Sequence, residues 1–230
     1  MIILALDTTT KDGSVAVVID GVVRVERAGD PGVTHGQRLP AELTDVLTAA
    51  HAGIADVDLF AVAAGPGSFT GLRVGIATIQ GLAMAQGKRI VAVSALDALA
   101  RAAGTARHAI AAWMDAQRGE VFAALYGAGG RDLLIPPVSA LPAAVLQAWA
   151  GMDIPSDIAF IGDGAMKHRE CLARTMGDAV RVISPPPLAG IIGRMAAEDP
   201  GRAVLPHGVV PLYIRQPDAE LARARRAAGH

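Results

Sequence analysis

The sequence predicts an α/β protein in two halves, residues 1–104 and 105–230. Three observations carry that expectation. The first 28 residues read as three antiparallel strands, with Asp20-Gly21 turning the second into the third. From Leu59 to Ala103, apolar runs and helical patterns alternate as βαβα, which places parallel strands under covering helices. From Ala109 the same plan starts again: a strand, an acidic turn, a returning strand, then helices and strands in alternation. No residue-level repeat accompanies it, so any duplication is one of architecture.

Taken in order, Ile2 to Leu6 is a buried strand that ends in Asp7-Thr8-Thr9-Thr10. Lys11-Asp12-Gly13 turns the chain, and Ser14 to Ile19 and Val22 to Arg27 complete the meander. Thr34 and Gln37 have capping-box spacing. Leu39, Leu43, Val46, Leu47 and Ala50 then form a helical stripe, starting near Leu39 because Pro40 belongs in a first turn. Leu59 to Ala64 is a strand that runs into Gly65-Pro66-Gly67-Ser68 and a helix reaching about Gln86. Ile90 to Val93 and Ala95 to Ala103 follow as strand and helix. In the second half, Ala109 to Asp115 and Glu120 to Tyr126 are strands, and Gly127 to Gly130 is a loop. Leu141 to Ala150 is a helix and Ile158 to Ile161 a strand. Met166 to Met176 is one helix, Val180 to Ile183 a strand, and Leu188 to Glu198 a helix. Val209 to Ile214 is an edge strand interrupted by Pro211, and Ala219 to Ala228 is an Arg-rich helical tail.

The helix after Ser68 holds three glycines, Gly71, Gly75 and Gly81. Each costs a helix interior roughly 0.5–1 kcal/mol against Ala, so a packing reason is expected. Gly71, Gly75, Thr78, Leu82 and Ala85 share one face; Leu72, Ile76, Ile79 and Ala83 share a second. A helix with two packing faces, one nearly bare, can accept another element close to its backbone. Tight packing inside one domain and a helix pair shared with another subunit both satisfy the pattern.

Composition excludes several function classes. Net charge is −1 and aromatics are 3%, so there is no global pull toward nucleic acid and few platforms on which bases stack. A single cysteine, Cys171, rules out an internal disulfide and points to a reducing compartment. No apolar run reaches transmembrane length and MIILALDTTT lacks a charged leader region, so the expected setting is the cytoplasm, away from membranes. The six histidines show no i, i+4 pair, so no metal is expected. Arg223, Arg225 and Arg226 could touch RNA phosphates or simply be solvated.

The turns offer weak chemical signals. Asp7, Thr8 and Thr9 could present hydroxyls and backbone N–H groups to a phosphate, with Asp7 near a magnesium. Asp115 and Gly119 offer a comparable turn, and Gly162 and Gly164 could let a nucleotide approach the backbone. Two acidic turns facing across a cleft, with a glycine turn, is the layout of an actin-like ATPase; each is also an ordinary turn on its own. Gly65, Gly67 and Ser68 could cradle a phosphate at a helix start, but no Walker Lys follows. Ser68 is flanked by Pro66 and Thr70, so the nucleophile-elbow pattern fails.

Together LALDTTT, HGQRLP, AAGPGSFTGLRVGIATIQGLA and MDAQRGEVFAALY resemble the TsaB (YeaZ) family of tRNA threonylcarbamoyladenosine biosynthesis proteins. The resemblance is dense over residues 1–126 and takes in IGDGA; beyond about Val180 it rests mainly on PLYIR near the end. It implies a short form of the two-lobed actin-like ATPase fold, the sugar kinase, Hsp70 and actin class with ribonuclease H-like sheets. It also implies a non-catalytic subunit that pairs with the transferase TsaD, is joined by the ATPase TsaE, and meets tRNA through the complex. TsaD-like proteins hold a metal through His-x-x-x-His; here the stretch is His35-Gly36-Gln37-Arg38-Leu39, and the second ligand is missing.

In that light Leu39, Leu43, Leu47, Gly71, Val74, Gly75, Thr78 and Leu82 are expected to form the partner surface, a helix bundle also used for homodimers. Gly75→Leu is then expected to weaken association. The phosphate turns would be vestigial or would touch a nucleotide near the subunit boundary. The chain would need no cofactor of its own, with ATP or ADP at most near the partner boundary. The rival readings are a small-molecule kinase of the same fold and a peptidase-like hydrolase using Ser68 and His35.

Overall fold

The computed structural model describes residues 1–104 and 107–214. In chain order these form β1 (Ile2–Asp7), β2 (Ser14–Ile19), β3 (Val22–Ala28), α1 (His35–Ala49), β4 (Leu59–Gly65), α2 (Phe69–Ala85), β5 (Ile90–Ser94) and α3 (Ala95–Ala102). Then come β6 (Ala109–Asp115), β7 (Val121–Tyr126), β8 (Leu133–Ala140), α4 (Pro142–Ala150), β9 (Ile158–Ile161), α5 (Asp163–Lys167), α6 (Arg169–Met176), β10 (Arg181–Ile183) and α7 (Ala189–Glu198).

Two five-stranded sheets result, ordered β3-β2-β1-β4-β5 and β10-β9-β6-β7-β8. In each, three antiparallel strands come first and two parallel strands extend the other side. The second sheet thus gains an antiparallel edge strand, β8, where a loop and a gap were expected. Pro136 and Pro137 hide it in the sequence, and they are tolerated because β8 pairs on one side only.

Apolar side chains divide into three cores. Leu39, Leu43, Val46 and Leu47 of α1 and Ile76, Ile79 and Ala83 of α2 pack on Leu4, Leu6, Val15, Val17, Phe60 and Val62, the outer face of the first sheet. Trp113, Phe160, Val145, Trp149, Ala165 and Leu172 fill the outer face of the second. The largest core lies between the sheets, where Leu96 and Leu99 of α3 and Ile192, Met195 and Ala196 of α7 join residues of both inner faces. Helix α7, from the second half, lies against β1, β2, β3 and β4 of the first sheet.

Several local expectations change. Helix α1 starts at His35, so Pro40 lies inside it. Thr34 does precede the helix, with its N–H and hydroxyl donating to Gln37 Oε1 at 3.3 and 2.7 Å. The single helix expected over 166–176 is two, broken at His168. Residues 209–214 are not a strand; this segment runs along the first sheet, where the Leu212 N–H donates to Ala64 O at 2.7 Å. The helical tail expected from Ala219 lies outside the described residues.

The bare face of α2 is the main correction. A Cβ at Gly71 would overlap the Thr8 carbonyl, and one at Gly75 would overlap Thr8 Oγ1. These glycines admit the turn after β1 of this same chain, and leave no free surface at that point. Leu39, Leu43 and Leu47 are likewise buried, at 2, 6 and 7% exposure. Thr8 Oγ1 itself has no hydrogen-bond partner among the described residues. Thr8→Val keeps the shape and removes that hydroxyl. It is expected to raise stability by roughly 1 kcal/mol, read as a melting temperature about 2–4 °C higher. An unchanged or lower melting temperature would show that the hydroxyl is bonded.

Candidate functional site

Chain turns at the ends of β1, β4 and β6 converge on a cleft of about 870 Å³ between the two sheets. Asp7, Thr9, Thr10, Gly67, Ser68, Asp115 and Asp163 line it, with Gln117 and Arg118 at the β6–β7 turn. Five of the residues expected in phosphate turns are therefore brought together: Asp7, Thr9, Gly67, Ser68 and Asp115. Five are not. Thr8 is buried against Gly75, and Gly65 faces Leu212. Gly119 is directed at Leu141. A Cβ at Gly162 would overlap Trp113 O, and one at Gly164 would come within 2.7 Å of Met114 C. Gly162 and Gly164 therefore let the start of α5 sit close against β6. Asp163, missed in the sequence because Gly162-Asp163-Gly164 reads as a plain connection, joins Asp7, Asp12 and Asp115 as a cleft carboxylate.

Three of these four acids, Asp7, Asp163 and Asp115, are already engaged. Asp7 is 2% exposed, and its Oδ1 accepts the Thr9 N–H at 2.8 Å and the Thr9 hydroxyl at 2.7 Å. Burial pushes the Asp7 carboxyl up; the Thr9 hydrogen bonds oppose this, and the Asp163 charge adds to it. Asp163 Oδ1 accepts the N–H groups of Asp115 at 3.0 Å and Gly164 at 2.9 Å, and burial pushes its carboxyl up too. Asp115 pairs with Lys167 at 2.8 Å.

His35 and Arg38 hold the rim. His35 Nε2 lies 3.0 Å from Thr10 O, and its Nδ1 lies 2.6 Å from Arg38 Nη2. Arg38 can only donate, so Nδ1 is the acceptor and Nε2 carries the hydrogen given to Thr10 O. Arg38 also bonds the carbonyls of Lys11 and Asp12 and pairs with both Glu42 oxygens at 2.7 Å. This staple ties α1 to the turn that borders the cleft. A metal does not fit at the stretch 35–39, since His35 is used on both nitrogens and Leu39 is in the core. Ser68 Oγ accepts the Gly71 N–H at 3.3 Å as the cap of α2.

Burial, and then Arg38, holds the His35 imidazole below its ordinary range. The fold thus keeps the neutral ring, and the unfolded chain binds a proton first as pH falls through about 6.5. Stability is expected to drop from pH 7.5 to 5.5. His35→Gln, which offers the same donor and acceptor without titrating, should flatten that slope in thermal melts. An equal slope in both proteins would remove His35 as its cause.

The second feature is the outward side of α1 and α2. Here Pro40, Ala41, Thr44 and Thr48 on α1 and Ala77, Gly81 and Ala85 on α2 are exposed, and Val74, Thr78 and Leu82 are half-exposed. No atom lies within 4 Å of a Cβ built on Gly81. The short-chained face lies about a third of a turn from the one expected, at Ala77 and Gly81 rather than Gly71 and Gly75. Among the described residues, no helix is long and apolar enough to cross a membrane.

The family model described as TsaD, tRNA N6-adenosine threonylcarbamoyltransferase, matches residues 32–222. The tRNA threonylcarbamoyladenosine biosynthesis protein TsaB of Bacillus subtilis is 28% identical over 96% of each chain. That of Escherichia coli is 39% identical over 55% of each. An uncharacterised Mycobacterium tuberculosis protein, Rv3421c, is 31% identical over 95% of this chain and 93% of its own. Among solved structures, YeaZ from Pseudomonas aeruginosa has a TM-score of 0.76 at 29% identity, covering 92% of this chain and 99% of that one. A Clostridium difficile dehydratase activator with bound ADPNP shares the fold alone, with a TM-score of 0.54 at 11% identity, covering 86% and 95%. The fold is therefore the two-lobed actin-like ATPase fold in a short form, and the chain belongs to the TsaB (YeaZ) family of TsaD-like proteins.

Proposed function

We propose that this chain is a non-catalytic subunit of the machinery that makes N6-threonylcarbamoyladenosine in tRNA, and that it binds and stabilises the TsaD transferase. One observation carries the reading: on the outward sides of the adjacent helices α1 and α2 the exposed positions include the short side chains of Ala41, Thr44 and Thr48 and of Ala77, Gly81 and Ala85, beside the exposed Met84. Such a face lets a second pair of helices approach closely enough to form a four-helix bundle. Val74, Thr78 and Leu82 lie on it, while Leu39, Leu43, Leu47, Gly71 and Gly75 act beneath it by holding the two helices in place.

In this reading the cytoplasmic ATPase TsaE and the tRNA meet the chain as parts of the complex. The same face serves a homodimer when TsaD is absent. Three engaged carboxylates, glycines packed against β6 and a His35 hydrogen-bonded on both ring nitrogens favour support of another chain over chemistry in this cleft. A nucleotide, ATP or ADP, belongs at the boundary with the partner if it is used.

The test mixes purified chain with TsaD and follows co-elution, then measures tRNA modification with this chain omitted. Co-elution together with loss of modification on omission is the expected result. Separate elution with undiminished modification would overturn the reading.

A further inference from the structure

Of the eight aromatic residues, four Phe, two Tyr and two Trp, six are buried and two are exposed. The exposed two, Phe69 at 38% and Tyr213 at 41%, are neighbours. Their ring centroids are 5.4 Å apart with planes inclined by 33°, and the Arg73 guanidinium lies 3.8 Å from the Phe69 centroid. Phe69 is the first residue of α2. Tyr213 follows Leu212, whose N–H is bonded to Ala64 O at 2.7 Å. Both rings are thus fixed by backbone that is itself pinned to the first sheet. Phe69 and Tyr213 line the cleft together with Thr10, Lys11, Asp12 and Ser68.

Leaving two large rings part-exposed to water forgoes the gain of burying their apolar surface. Phe69 is covered by Arg73 and by Tyr213, while Tyr213 keeps much of its surface open. Composition alone gives few platforms for a base, and the fold gathers the two exposed rings into one. An aromatic ring backed by a second ring and a guanidinium, beside a cation and hydroxyls, is the chemistry that holds an unpaired base and its phosphate.

We propose that Phe69, Tyr213 and Arg73 form a stacking platform at the cleft mouth for one unpaired nucleobase, with its phosphate toward Lys11 and Arg73. The base can belong to a single-stranded loop of RNA or to a free mononucleotide. RNA is the source favoured by the function proposed above, and the choice of source rests on that reading; the platform does not.

The experiment titrates the full chain, without TsaD, into a fluorescein-labelled anticodon stem-loop RNA and follows anisotropy, with unlabelled AMP as competitor. Tyr213→Ala should weaken RNA binding about 10-fold and Arg73→Ala by a similar factor, whereas Tyr213→Phe should leave it within about 2-fold. AMP that displaces the RNA at concentrations where it binds the wild type, but not the Ala variants, assigns the platform to free nucleotide. Equal RNA and AMP binding by wild type and Ala variants would overturn the platform. So would a loss confined to variants whose melting temperature has fallen. TsaD co-elution is measured on the same variants. If Tyr213→Ala abolishes it while RNA and AMP binding stay the same, the cluster is a protein contact and the proposal fails. Failure of wild-type co-elution alone would instead count against the proposed function.

Discussion

Gly71→Ala is expected to cost about 3 kcal/mol of stability, a melting temperature roughly 6–12 °C lower for a chain of this size. The new methyl would enter the Thr8 carbonyl, with Thr8 C and Ser68 Cβ each 3.3 Å away. A backbone oxygen cannot swing aside as a side chain can. Either α2 must lift from the sheet or the turn after β1 must move, and that turn carries Asp7 and Thr9 of the cleft. Helix propensity works the other way, by up to about 1 kcal/mol, and is too small to compensate. Gly81→Ala is the matched control. It sits in the same helix with nothing within 4 Å, so it should stabilise by roughly 0.5–1 kcal/mol. If both substitutions shifted the melting temperature upward, the close approach of α2 to Thr8 would be wrong. The same geometry changes what Gly75→Leu would report. Its side chain would strike Thr8 of the same chain, so a loss of binding in that variant would follow from damage to the fold.

Ala77→Arg is expected to weaken association with TsaD by 100-fold or more, at an unchanged melting temperature. Ala77 is exposed in mid-helix, one turn before Gly81, so an Arg there projects into solvent in the free chain. In a close-packed helix bundle the same side chain would hold the helices apart and bury a charge without a partner. Either effect costs about 3 kcal/mol or more, which is more than two decades in affinity. Sedimentation or size-exclusion analysis with TsaD would read it, and the proposed homodimer should be weakened in parallel. Wild-type affinity in this variant would move the docking surface off α2.

Much of the architecture could be read from periodicity. The opening meander, the βαβα run and the repeat of the plan after Ala109 are local patterns, and local patterns survive in one dimension. What could not be read was direction. A helical wheel puts Gly71 and Gly75 on one side of α2 but does not say what that side meets; Thr8, more than sixty residues earlier, decides it. The same limit applies to Gly162 and Gly164, whose neighbours on β6 are some fifty residues away. Strand β8 was missed because two prolines argue against a strand unless its edge position is known. The His35–Arg38 staple was missed because its acceptors are backbone carbonyls, which leave no trace in residue types. Asp7, Thr9 and Ser68 were legible because turns at the ends of the neighbouring parallel strands β1 and β4 converge whatever the details of packing, and Asp115 because the second sheet repeats the plan of the first.

The placement of α7 has a consequence for synthesis. The first sheet is complete once Ser94 has been made, yet Ile192, Met195 and Ala196, which help to cover its inner face, come about a hundred residues later. A nascent chain leaving the ribosome therefore holds an apolar sheet half-dressed while the whole second half is translated. At about 5–20 residues per second that interval lasts on the order of ten seconds. Truncations ending before Ala189 should be captured by chaperones or aggregate, and the two halves should not fold when expressed apart.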